Sequence, residues 1–100
     1  MKSINYKTGK VIYDGFHIDF SKAFSEQLDN LTEDLLQVEF PGNFLLDIGW
    51  YPEYEPEGHF IVQLIKEENW EKPKYKKCCT KMEELYENIE SVLNLINSYK

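Results

Sequence analysis

Arginine is absent from this sequence, and its eleven basic residues are all lysine. The guanidinium is the side chain best suited to bidentate capture of phosphate or carboxylate, so its absence argues against a site built around an anionic substrate. Histidine is scarce as well: His17 and His59 stand far apart in the chain. Cys78 and Cys79 are adjacent. Neighbours on a strand point to opposite faces, so a disulfide between them would be strained and a reduced pair is expected. Without a C-x-x-C spacing or further cysteines they make no structural zinc site. No glycine-rich phosphate loop is present, and no apolar run reaches the length that spans a bilayer. The N-terminus, MKSINYKTGK, has no hydrophobic stretch after its lysines, so no secretory signal is expected there. The expectation is a soluble, cytoplasmic protein with no cofactor and no bound metal.

What is plentiful is aromatic and acidic. Seven Tyr, six Phe and two Trp in 100 residues exceed what a disordered chain of this charge carries, so a single folded domain over residues 1–100 is expected. The net charge is −7, unevenly spread. From Asp14 to Glu71 fourteen acids face only Lys22 and Lys66, while most other lysines gather at Lys2, Lys7 and Lys10 and between Lys72 and Lys81. An acidic body repels a phosphate backbone, so direct nucleic-acid binding is disfavoured. The same field steers a basic protein partner toward it. Acidity that serves only solubility is the plain alternative.

The clearest pattern runs from Asn43 to Ile65. Phe44, Leu46, Ile48 and Trp50 alternate with Leu45, Asp47 and Gly49, and Phe60, Val62 and Leu64 alternate with Ile61, Gln63 and Ile65. Period-2 alternation of this kind marks strands with one buried face. Pro52, Pro56 and Gly58 between the runs predict an antiparallel hairpin with a long loop. Upstream, Ile4 and Tyr6, Val11 to Tyr13, and Phe16 to Phe20 read as short strands separated by turns at 7–10 and 14–15. Phe24, Leu28, Leu31 and Leu35 recur at helical spacing and predict a helix over 21–38, its solvated face carrying Glu26, Asp29, Glu33 and Asp34. Downstream, Lys74 to Cys79 reads as an edge strand, and Thr80-Lys81-Met82-Glu83 as a capping box. That box opens a helix with Met82, Leu85, Tyr86, Ile89, Val92, Leu93 and Ile96 on its core side. The fold class expected is α+β: a mostly antiparallel meander with two amphipathic helices packed on one face.

Enzyme readings find little to stand on. Glu53, Glu55 and Glu57 could supply a carboxylate pair, but such pairs need a cleft and divergent pKa values that spacing does not provide. A Cys–His nucleophile has no local motif around either cysteine. EYEPEG lacks the ligand spacing of a calcium loop. As contact residues the same side chains make more sense. The loop after Trp50 interleaves Tyr51 and Tyr54 with Glu53, Glu55 and Glu57 and contains no lysine; Asp47 lies on the strand before it. A second acidic turn carries Glu67, Glu68 and Trp70. Large aromatics in acidic, exposed segments either fold back on the protein or anchor a partner. Because successive connections of a meander fall at opposite ends of the sheet, these two segments are expected apart, with the first loop the main contact.

In the block LLDIGWYPEYEPEGHFIVQLIKEENWEKP the chain resembles small immunity proteins of bacterial toxin–immunity systems, including the immunity partners of contact-dependent growth inhibition toxins. The likeness lies in the I-G-W-Y-P-E turn out of a strand, the return strand after Gly58 and the Trp70-x-x-Pro73 segment. It spans about a third of the chain. The resemblance implies a cytoplasmic, non-enzymatic domain that binds and blocks one cognate toxin. Acidity adds that the toxin is basic, as a nuclease is where its substrate lies. A small enzyme with a carboxylate-lined site and an adaptor for another basic protein are the alternatives.

Overall fold

The computed structural model describes residues 4–99; Lys2 of the N-terminal lysine group lies outside them. Five strands form one antiparallel meander in the order β1-β2-β3-β4-β5: β1 (Lys10–Asp14), β2 (Leu36–Phe40), β3 (Phe44–Tyr51), β4 (His59–Lys66) and β5 (Tyr75–Cys79). Among the described residues a single α-helix, α1 (Met82–Ser98), follows the sheet.

The alternation in β3 and β4 is realised as read. Phe44, Leu46, Ile48, Trp50, Phe60, Val62 and Leu64 point into one core, where Leu85, Ile89, Val92 and Ile96 of α1 meet them. Leu45, Asp47, Gly49 and Tyr51 pair with Ile65, Gln63, Ile61 and His59 on the opposite, outward face. Aromatic rings fill one end of the core. Trp50 meets Phe60 edge-on at 4.9 Å and Phe24 at 4.7 Å, and Phe16 stacks on Phe60 at 5.9 Å. Cys79 is buried on the core side and Cys78 exposed on the other, the two pointing apart as neighbours on a strand must.

The helix expected over 21–38 does not form. Its span holds two single 3₁₀ turns, Phe24–Glu26 and Leu28–Asn30, and then β2. Two physical reasons explain this. Asp29, Asn30 and Thr32 interrupt the run with weak helix formers, and polar side chains here bond the backbone instead. Gln27 is buried, accepting from Asp19 N at 2.8 Å and donating to Asp19 O at 2.7 Å. Next to it, Leu36-Gln37-Val38-Glu39-Phe40 alternates with period 2 and runs into the three-residue turn Pro41-Gly42-Asn43. Gly42 and Asn43 there adopt φ of 92° and 63°, the left-handed values that reverse a hairpin. Leu31 and Leu35 are buried, as a helical stripe would have them, but Leu28 is exposed.

Smaller corrections follow the same logic. Of the early strands only β1 exists, paired with β2 through an irregularity at Ile12; 4–6 and 16–20 are irregular, with Phe16, Ile18 and Phe20 packing into the core. The expected capping box does not form, because β5 runs to Cys79 and leaves Thr80 and Lys81 as the corner. Lys81 takes the N-cap position and no side chain caps it. Met82, expected in the core, is exposed in that first turn, while Tyr86 is half-buried.

A candidate acidic surface at the β3–β4 end

The outward face of the sheet consists of cross-strand rows. Lys10, Glu39, Leu45 and Ile65 form one; Tyr13, Gln37, Asp47, Gln63 and Lys76 form the next. The main contacts of α1 are with β4 and β5, and its buried residues belong to the core on the other side. No helix among the described residues covers the outward face.

Toward the β3–β4 loop this face becomes acidic, and a backbone arch makes it so. Between the 3₁₀ turns and β2 the chain runs irregularly beside β3, bonded at each end: Leu35 N donates to Ile48 O at 3.0 Å, and Trp50 N to Thr32 O at 2.9 Å. In between, Glu33 and Asp34 arch over Gly49. A Cβ on Gly49 would sit 1.9 Å from Glu33 O, so only glycine admits this approach. The arch carries both acids to Tyr51, whose hydroxyl reaches Glu33 O at 3.4 Å. Burial pushes the Tyr51 phenol up, and the carboxylates of Asp47, Glu33, Asp34 and Glu53 push it further.

Asp47 lies in the same patch. It is 2% exposed and accepts from Gln37 Nε2 at 2.9 Å. Burial, with Asp34 nearby, raises its pKa; the Gln37 bond opposes the rise.

The loop from 52 to 58 is shaped from within. Trp50 Nε1 donates to Glu55 O at 2.7 Å, and Tyr54 N to Leu31 O at 2.7 Å. The Tyr51–Pro52 peptide is cis, and Tyr54 adopts a φ of 65°. Gly58 passes so close to the Tyr51 backbone that a Cβ there would lie 2.5 Å from Tyr51 O. The predicted contact residues therefore divide. Glu53 is half-buried and its carboxylate accepts from Glu33 N at 3.1 Å, which makes it a strut between loop and arch. Tyr54, 52% exposed, and Glu55 and Glu57 are presented to solvent. Glu67, Glu68 and Trp70 lie at the other end of the sheet, where Glu67 N donates to Asn43 O of the β2–β3 turn.

Glu33 and Asp34 were missed as site residues, having been assigned to the solvated face of a helix. The signal available was the alternation of LQVEF into Pro41-Gly42, which would have left Thr32-Glu33-Asp34 as the connection entering a strand.

Among the described residues no group of three or more His, Cys, Asp and Glu side chains is placed to hold a metal ion. Burial pushes the Cys79 thiol up to about 11, which leaves it protonated and inert. No helix among the described residues is long and apolar enough to cross a membrane. The fold and this face define a small α+β protein with an acidic, aromatic-bearing surface. No family model, curated protein or solved structure matches the chain.

Proposed function

We propose that the protein is a non-catalytic inhibitor, an immunity protein that binds a basic toxin domain in the cytoplasm and covers its nucleic-acid-binding surface. One observation carries the reading: Glu33, Asp34, Asp47 and Glu53 converge on Tyr51, next to the exposed Tyr54, Glu55 and Glu57. Such a surface mimics the charge of a nucleic acid without its chemistry. Exposed tyrosine provides the aromatic anchor that interface hot spots favour, and a concentrated acidic field raises the rate of encounter with a basic partner. The toxin as partner rests on the pattern IGWYPE and the Trp70–Pro73 segment; the charge of the partner rests on the surface.

A pull-down from the source cell, with mass spectrometry of the bound protein, tests this. The wild-type protein is expected to recover a basic nuclease domain, and Glu33→Gln/Asp34→Asn/Glu55→Gln/Glu57→Gln to lose it. A basic partner without nuclease activity moves the reading to an adaptor. A second reading has its own observation, since a buried carboxyl with a raised pKa such as Asp47 is the profile of a general acid. Turnover on a substrate panel that Asp47→Asn abolishes would establish that enzyme and overturn the inhibitor.

A further inference from the structure

The opposite end of the outward face contains a cavity of about 1030 Å³ to which the loop reading gives no role. Its floor is apolar. Leu45 and Ile65 are cross-strand neighbours there, and Ile65 is 1% exposed although it points away from the core. Trp70 lines the same cavity while remaining 47% exposed. The rim carries three carboxylates against one lysine, with Glu39 and Lys10 at one side and Glu67 and Glu68 beside Trp70. Those two glutamates are the central residues of a tight turn closed by Asn69 N donating to Lys66 O at 3.0 Å, with φ of 51° and 61°.

Two lysines stand near this corner. Lys10 lines the cavity beside Glu39, its neighbour in the β1–β2 ladder. Lys66 donates to Gly42 O at 2.6 Å and lies over the Phe44 ring at 4.3 Å. The Trp70 corner therefore combines an exposed indole, two carboxylates and an aliphatic floor. An indole face attracts a guanidinium or ammonium, the carboxylates neutralise it, and the floor accepts an adjoining apolar side chain.

We propose that this cavity is a second docking site, which takes an extended basic segment of a protein partner with an arginine or lysine seated between Trp70 and the Glu67–Glu68 turn. The site is independent of the loop surface, and either can fail without the other.

The two tryptophans make the test specific. Trp50 Nε1–H is buried at the loop end and bonded to Glu55 O, whereas Trp70 reports the cavity, so their indole NMR signals separate the two ends. The probe is a capped Arg-Leu-Arg-Leu-Arg peptide, with the Trp70 signal assigned through Trp70→Phe. The expected result is a saturable shift of the Trp70 indole with the Trp50 signal unmoved. Glu67→Gln/Glu68→Gln should weaken that binding about tenfold, the scale of one well-formed interfacial charge contact. Glu33→Gln/Asp34→Asn/Glu55→Gln/Glu57→Gln should bind the peptide as the wild type does. An unmoved Trp70 signal, an equal response to Glu-Leu-Glu-Leu-Glu, or indifference to Glu67→Gln/Glu68→Gln would overturn the proposal. So would a Trp70 shift that follows protein concentration without peptide, which would make a second copy of the chain the occupant.

Discussion

Asp47 is tied into the sheet by a neutral partner, the Gln37 amide, while burial and Asp34 raise its carboxyl above the ordinary value of 3.8. The sign of its effect on stability follows from proton linkage. Between the unfolded value and the raised folded value, the folded state holds a proton that the unfolded state has released. Stability therefore falls as pH rises through that window, and below the unfolded value the group has no effect. Asp47→Asn keeps an acceptor for Gln37 and removes the charge. Thermal melts should show the variant more stable than wild type at pH 7, with the difference closing as pH falls below the usual aspartate value. A variant less stable than wild type at neutral pH would mean that the ionised carboxylate supports the sheet.

At the scale of elements, packing differs sharply between the middle of the meander and its edges. Leu46 is fully buried in β3 between two strands, whereas Lys77 is exposed on the edge strand β5, which pairs with β4 alone. Leu46→Ala should cost about 2–5 kcal/mol in urea unfolding, because it leaves a cavity in the core. Lys77→Ala should change stability by no more than about 0.5 kcal/mol. Amide exchange should be slowest in β3 and β4 and fastest in β1, all of whose side chains are exposed, including Val11, Ile12 and Tyr13. An even pattern across the five strands would contradict this ordering.

Which elements were legible follows from how local their causes are. The β3–β4 hairpin declares itself because alternation and the Pro52, Pro56 and Gly58 break agree. Helix α1 does so because its apolar residues keep one period for seventeen residues. β2 was hidden, since Phe24, Leu31 and Leu35 bury at helical spacing for a different reason: a loop laid across the end of the core. The acidic site was half legible. Tyr51, Tyr54 and the loop glutamates are contiguous, whereas Glu33 and Asp34 arrive only through an arch that depends on Gly49 of a later strand. Non-local placement of that kind has no periodic signature.

Across the whole molecule, topology separates two acidic features. The β3–β4 loop with its arch occupies one end of the sheet; the β2–β3 turn and the β4–β5 connection share the other, joined by Glu67 N to Asn43 O. A partner that met both would have to run along the outward face, over the row of Gln37, Asp47 and Gln63. Steering by such a field acts over roughly 8–10 Å at physiological ionic strength, so it belongs to the rate of encounter more than to the lifetime of the complex. Glu33, Asp34, Glu55 and Glu57 are the charges to remove, because Glu53 supports the arch and its loss would mix folding with binding. Exposed charges of this kind contribute little to stability. The direct measurement is the association rate of the recovered basic partner at low and high salt, for wild type and for Glu33→Gln/Asp34→Asn/Glu55→Gln/Glu57→Gln. The account predicts a wild-type rate that falls steeply with salt, and a variant rate that is low, nearly flat and accompanied by an unchanged melting temperature. A variant that associates as fast as wild type, with the same salt dependence, would contradict the assignment of this surface as the partner's docking site.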